Sequence, residues 1–322
     1  MKTERILGFD LARVTAIFII IGLYHNLGYA GGHYYEHACI LSLVYSSLGV
    51  FTFLSAFLLS SKYKFNNSTD TIAFWEKRFM RVWPLFAISS ILLYVIGFNP
   101  FMSTIKGLVG ISPFWAPEPT TMWYVSMLLS LYLLTPFIVQ GGLKSQCVRV
   151  LVTMSIMGVL QLAFNSVVPK TFNYFTVYFT GLLLGRNWDK KVMKFFMSKK
   201  TLVLTALWVI LMTACYITCN VFVKSLAGVV GLISIINLSS LVSWKIDSNS
   251  IIGRIIELLS YTSFCAYLFH REVIWVLLRL LSLNHGWPLF LEILVVGVPL
   301  SFILAYIIQL SYDKFVNKII KN

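Results

Sequence analysis

Apolar residues run in long blocks along this chain, separated by short polar or Gly/Pro-rich stretches. Blocks of this length with few charges predict membrane-spanning helices of about 20 residues. The pattern places them near residues 6–28, 38–60, 82–98, 122–140, 148–168, 171–186, 201–221, 225–244, 255–282 and 288–312. Two residues break the pattern in the first block: Arg13 at its approach and His25 at its end, around IFIIIGLYH. A charge inside a span is expensive and is by default a functional-site candidate. Along a helix the two lie about 18 Å apart. That separation suits a long substrate with a phosphate head and a reactive tail. The competing structural reading is an Arg that snorkels to the membrane edge and a His in a polar bundle interior.

Composition sharpens the class. Of 322 residues, 58% are hydrophobic and only 12% are charged. A soluble domain carries about a quarter charged residues, so the chain reads as an integral membrane protein. Its length alone would allow two soluble domains. Ten spans with short loops use nearly all of it, so the expectation is one transmembrane domain over 1–322, an all-α polytopic helix bundle. Asp10 and Arg13 interrupt the first apolar run and no cleavage site follows, which argues for an uncleaved first span over a signal peptide.

Topology accounts for most of the charge of +14. With the N-terminus cytosolic, ten spans return the C-terminus to the cytosol. Only Lys106, Lys170, Lys224, Arg271 and Arg279 then fall outside, and the other 21 of the 26 Lys and Arg lie inside, as the positive-inside rule requires. The run from Arg186 to Lys200 reads as an orientation signal beside anionic lipid headgroups, and no nucleic-acid partner is implied. Cys39, Cys147, Cys215, Cys219 and Cys265 all fall in predicted spans, where buried apolar thiols are expected and a metal site is not.

Two far-side loops differ in character. YAGGHYYEHA holds His33, Glu36 and His37 among aromatics, and FNPFMSTIKGLVGISPFWAPEPTT is long and rich in Pro, Gly and aromatics. Such loops suit a sugar, although aromatic belts at membrane interfaces have the same composition. On the near side, WEKRFMRVWPLF carries Arg78 and Arg81 three residues apart, on one helix face, with Pro84 as the span begins. Paired guanidiniums suit phosphate or pyrophosphate, and positive-inside anchoring is the alternative. His25 can accept a proton near neutral pH and so activate a hydroxyl against a thioester. No GxSxG, GxxxxGK[ST] or HExxH motif supports a hydrolase, kinase or zinc-protease reading.

Six segments then line up in order. FDLARVTAIFIIIGLYH resembles the opening D-x-x-R…H of the integral-membrane acyltransferase family 3, whose members O-acylate glycans and lipids from acyl-CoA. VFTFLSAFLL resembles its second-span motif, KRFMRVWPLF its R-x-x-R motif, and TTMWYVSMLLSLYLLTP its W-[FY]-L…Y-L-x-x-P span. YFTGLLLG resembles its later small-residue helix, and SYTSFCAYLFH its S-[FY]-x-x-Y-L-x-H. The resemblance covers residues from about 7 to 270. It implies that His25 is the catalytic imidazole and that Arg13, Arg78 and Arg81 bind the CoA phosphates or organise the route for the acyl group. Asp10, Trp123, Tyr132, Ser263, Tyr267 and His270 would support the site or contact substrate, with packing duty the alternative for Trp123, Tyr132 and His270.

Three departures matter. Eleven residues separate Arg13 from His25 where the family has ten, which turns the imidazole by about 100° on a regular helix unless a π-bulge absorbs the extra residue. Ala56 replaces a Gly of the second span, and Leu128 stands where many members carry Glu. No esterase-like domain is fused, so onward transfer is expected from this domain or another protein. The leading expectation is a bacterial inner-membrane O-acetyltransferase. It would hold no permanent cofactor, take acetyl-CoA as donor, lie among membrane lipids and act on a surface-polysaccharide or lipid-linked sugar. The rival is an exporter of a glycan or small anion, weakened by the lack of internal duplication.

Overall fold

The computed structural model describes residues 6–31, 36–115, 117–163, 169–281 and 286–321, and those residues are helices and short connections. His33, from the first far-side loop, lies outside them. The long helices are α1 (Leu7–Tyr29), α2 (Ala38–Lys62), α3 (Ser68–Val95), α5 (Trp123–Val139), α6 (Leu143–Ala163), α7 (Pro169–Asn187), α9 (Leu202–Thr218), α10 (Val221–Ser243) and α11 (Ile251–Leu281). The last, α12, runs as Trp287–Glu292, Ile293–Gly297 and Val298–Lys321. Two short helices, α4 (Phe101–Val109) and α8 (Asp189–Phe196), lie between them.

Every expected span coincides with a helix, and among the described residues eight are long and apolar enough to cross a membrane. The remaining two are α5, apolar but 17 residues long, and α7, 19 residues with several polar side chains. The protein is an all-α polytopic membrane protein.

The third expected span begins earlier than its hydropathy suggests. Asn67 caps α3 by accepting the Asp70 N–H at 2.7 Å, and Asp70 returns the favour by accepting the Asn66 N–H at 3.0 Å. This reciprocal cap starts the helix at Ser68, so Arg78, Arg81 and Pro84 all lie within it. The polar stretch NSTD masked that start from the apolar pattern. The two short helices were likewise hidden in loops. α4 buries Ser103, Thr104 and Lys106 and turns Phe101, Met102, Ile105 and Val109 outward, the reverse of a water-facing helix.

The chain divides into two compact units, residues 1–51 with 193–322, and residues 52–192. In the first, α1 is held against α10 and α11. A Cβ on Gly8 would lie 2.8 Å from Ser240 Cα, so only glycine allows this approach. Ala12, Ala16, Ile17, Ile20 and Ile21 are buried around it. In the second, α7 packs against α2 through Gly181 and Gly185. A Cβ on Gly181 would meet Ala56 Cβ and the Phe53 carbonyl at 2.9 Å, and one on Gly185 would come closer still to the Phe57 carbonyl. Close backbone approach through small residues four apart is a common way for helices to associate in lipid. Ala56, the departure from the family pattern, is therefore a small residue at a helix crossing. The cysteines behave less uniformly than expected: Cys215 and Cys265 are buried, whereas Cys147, on α6, and Cys219, the left-handed residue that ends α9, are exposed.

Candidate active site

The first unit brings together six of the expected site residues on two parallel helices. Near the start of α1, Asp10 is buried at 3% exposure and accepts a hydrogen bond from Ser260 Oγ of α11 at 2.6 Å. It also faces Arg13 Nη1 at 3.5 Å, and the Arg13 side chain keeps 27% of its surface. A largely buried guanidinium beside a buried carboxylate is held in direction by it.

Farther along the same two helices, His25 Nδ1 and His270 Nε2 are 2.6 Å apart. Their ring planes are 3° from parallel and the centroids are 4.7 Å apart. Rings whose nitrogens touch at that centroid separation are joined edge to edge by an in-plane N–H···N bond. The other nitrogen of His270, Nδ1, is 2.8 Å from the Tyr267 carbonyl oxygen. A carbonyl only accepts, so Nδ1 of His270 carries the proton and its Nε2, in the neutral ring, is a lone pair. His25 Nδ1 must then be the donor to it. That leaves Nε2 of His25 as the basic atom, with no hydrogen-bond partner among the described residues. A backbone carbonyl thus sets two tautomers in series.

The helix that carries His25 is not regular. Residues Phe18–His25 form a π segment, in the interval where the spacing from Arg13 is one residue too long. Twelve steps of about 100° would leave the two residues about 120° apart, and one π turn removes about 100° of that. Arg13 and His25 therefore return to nearly one face, and Asp10 and His25 both reach α11. A second π segment, Ile293–Gly297, faces the first: a Cβ on Gly22 would lie 3.4 Å from Leu294 Cδ1. Asn26, fully buried, bridges the two helices by donating Nδ2 to the Phe290 carbonyl at 2.8 Å and the Gly22 carbonyl at 3.3 Å. A π turn displaces carbonyls from their usual partners, and a buried amide can serve them.

Ser263 and Tyr267 contribute differently from what the motif suggests. The Ser263 hydroxyl is spent on the Ser260 carbonyl of its own helix at 2.7 Å. Tyr267 acts on His270 through its backbone, and its ring lies 6.1 Å away. Arg271, next in the chain, donates to Tyr29 OH at 3.2 Å.

The second unit holds the other expected residues. Arg78 donates Nη2 to Tyr63 OH at 3.0 Å and lies over the Tyr63 and Phe74 rings at 5.4 and 5.7 Å. Arg81, three residues farther along α3, is exposed. Arg186 Nη1 donates to the Tyr63 carbonyl at 3.3 Å. Tyr63 and Arg186 were not singled out by the motifs; the signal was the Gly-x-x-x-Gly spacing directly before Arg186. Tyr132 OH is 2.8 Å from Ser55 Oγ, and Trp123 packs 5.7 Å from the Tyr174 ring. Hydroxyl pairs recur here: Thr52 with Tyr124 at 3.0 Å, and Thr135 with Tyr178 at 2.6 Å.

A family model described as an acyltransferase domain matches residues 6–309. The chain belongs to acyltransferase family 3. The match crosses both units and takes in every site residue named above. No curated protein and no solved structure matches this acyltransferase. Membership decides between the enzyme and the exporter that composition left open: the protein is a membrane acyltransferase.

Proposed function

We propose that this acyltransferase moves an acyl group, most simply acetyl, from acyl-CoA to a hydroxyl of a surface-polysaccharide or lipid-linked sugar. The setting is a bacterial inner membrane, with both termini in the cytosol and residues 1–322 acting as one domain. The observation that carries the reading is the hydrogen-bonded chain from the Tyr267 carbonyl through His270 to His25. It presents a lone pair on a nearly buried imidazole, which is what a general base needs.

The reaction balances without a further reagent. His25 Nε2 takes the proton of the acceptor hydroxyl as its oxygen attacks the thioester carbonyl. The O–C bond forms, the C–S bond breaks, and the imidazolium returns its proton to the CoA thiolate. His270 takes no part in bond making; it holds the His25 ring and tautomer, as an orienting residue does in a hydrolytic triad. Arg13, Arg78 and Arg81 are assigned to the donor's phosphates. Trp123 and Tyr132 support the second unit, and Asp10 fixes Arg13.

The test is transfer of labelled acetyl from acetyl-CoA to membrane glycans, in vesicles holding wild type or His25→Ala at matched expression. A base of this kind is worth about 10²–10⁴ in rate, so label should fall by that factor in the variant. Undiminished label with His25→Ala would move the base elsewhere. No label with wild type would reject the donor or the acceptor.

A further inference from the structure

Resting on that acyl-CoA reading, we infer that the second unit carries a diphosphate-binding site built on Tyr63, with Arg78 and Arg186 as its guanidiniums. Arg81 and the lysine run are not its core. The Gly181 and Gly185 crossing presses α7 onto the end of α2, and this sets Arg186 beside the residue that follows α2. Arg78 reaches the same residue from α3. One guanidinium thus holds the main-chain carbonyl of Tyr63 and the other its hydroxyl, so two cations bracket a single residue.

The charge accounting calls for an anion. Among the described residues neither arginine pairs with a carboxylate. Each has five N–H donors. Arg186 spends Nη1 on the Tyr63 carbonyl, Arg78 spends Nη2 on the phenol, and Arg78 Nε is buried with no hydrogen-bond partner. The field around Tyr63 agrees. Burial pushes its phenol up, yet Arg78, Lys77 and Lys62 outweigh burial and hold it below its ordinary value. Capping the end of α2 accounts for one donor of Arg186 and for none of Arg78. Guanidiniums at the two ends of one tyrosine fit a pair of phosphates better than a single one, and planar forks match phosphate oxygens.

Such phosphates come from a soluble nucleotide donor or from a lipid headgroup, and one experiment separates the sources. Full-length protein in phosphatidylcholine nanodiscs is titrated with CoA and with inorganic pyrophosphate. Wild type is compared with Arg186→Gln, Arg186→Lys, Tyr63→Phe and the charge control Lys191→Gln, and thermal unfolding is followed in parallel. Loss of charge-assisted donors should weaken both ligands at least tenfold in Arg186→Gln. Tyr63→Phe should weaken them less, and Arg186→Lys should fall between wild type and Arg186→Gln, all with unfolding temperatures near wild type. Lys191→Gln should bind as wild type does. Unchanged affinity in Arg186→Gln and Tyr63→Phe overturns the site and leaves the acyl-CoA reading standing. Pyrophosphate binding that depends on Arg186, without CoA binding, keeps the site and rejects the acyl-CoA reading. Displacement of pyrophosphate when phosphatidylglycerol is added to the discs assigns the site to a lipid headgroup and overturns its role in holding the donor.

Discussion

Replacing His270 by Ala tests the tautomer relay most directly. The substitution removes the acceptor of the His25 Nδ1–H bond, which is 2.6 Å long and buried. An N–H left unsatisfied in such a place costs about 1–3 kcal/mol. His25 escapes that cost by moving its proton to Nε2, and then the atom proposed as the base holds the proton. At about 1.4 kcal/mol per factor of ten, the productive tautomer falls by roughly 5- to 150-fold. The ring also loses its in-plane restraint, so the total approaches but does not exceed the 10²–10⁴ of the base itself. The assay is the steady-state initial rate of acetyl transfer in detergent or vesicles, with the donor varied to separate kcat from KM. His270→Ala should lower kcat by about 10–100-fold and leave KM for acetyl-CoA within about threefold, because His270 is assigned no contact with the donor. His270→Gln, whose amide oxygen can accept from His25, should recover part of the loss. Because His270 acts through His25, the double variant should be no slower than His25→Ala. A double variant slowed by the product of the two single effects would falsify the relay, and so would a His270→Gln no better than His270→Ala.

Three further outcomes follow from the packing. Deleting one residue within Phe18–His25 should turn the π segment into regular helix and keep His25 on its face, with transfer within about tenfold of wild type. Inserting an Ala there should turn the imidazole by about 100° and abolish transfer, and equal effects of the two changes would reject the π account. Asn26→Ala removes both carbonyl contacts and should lower stability by about 1–3 kcal/mol, read as a fall in unfolding temperature in detergent; an unchanged temperature would mean that the bridge contributes nothing. Gly185→Val drives a branched side chain into the Phe57 carbonyl and should cost about 1–3 kcal/mol or more, while weakening pyrophosphate binding through displaced Arg186; weakened stability with unaltered binding would separate the crossing from the anion site.

The class of this protein was open to direct reading because a lipid environment writes itself into composition. Backbone groups have no water to bond inside the bilayer, so only helices or closed barrels serve; apolar runs of this length select helices, and each expected span coincided with one. Local exceptions arose where local chemistry overrode hydropathy. The Asn67–Asp70 cap extended α3 into a polar stretch, and α4 and α8 formed within segments too short or too mixed to register as spans. The family was equally legible, since its motifs sit on short consecutive stretches. Because angular position on a helix depends only on residue count and local pitch, the extra residue between Arg13 and His25 left a turned imidazole or a π-bulge open, and the fold has a π segment in that interval.

Partnership was a different matter. Nothing in the order of residues says that Asp10 meets Ser260, that His25 meets His270, or that Arg186 and Arg78 converge on Tyr63. These contacts join positions 250, 245, 123 and 15 residues apart, and the Arg186 contact follows a crossing where Gly181 and Gly185 let α7 approach α2 closely. Which histidine donates and which accepts also came from the fold alone. Imidazole is symmetric in its ability to donate or accept, and only a fixed neighbour, here the Tyr267 carbonyl, breaks that symmetry. Apolar pattern and motif order therefore determined what kind of protein this is, whereas helix packing decided which polar groups face one another and in which protonation state they meet.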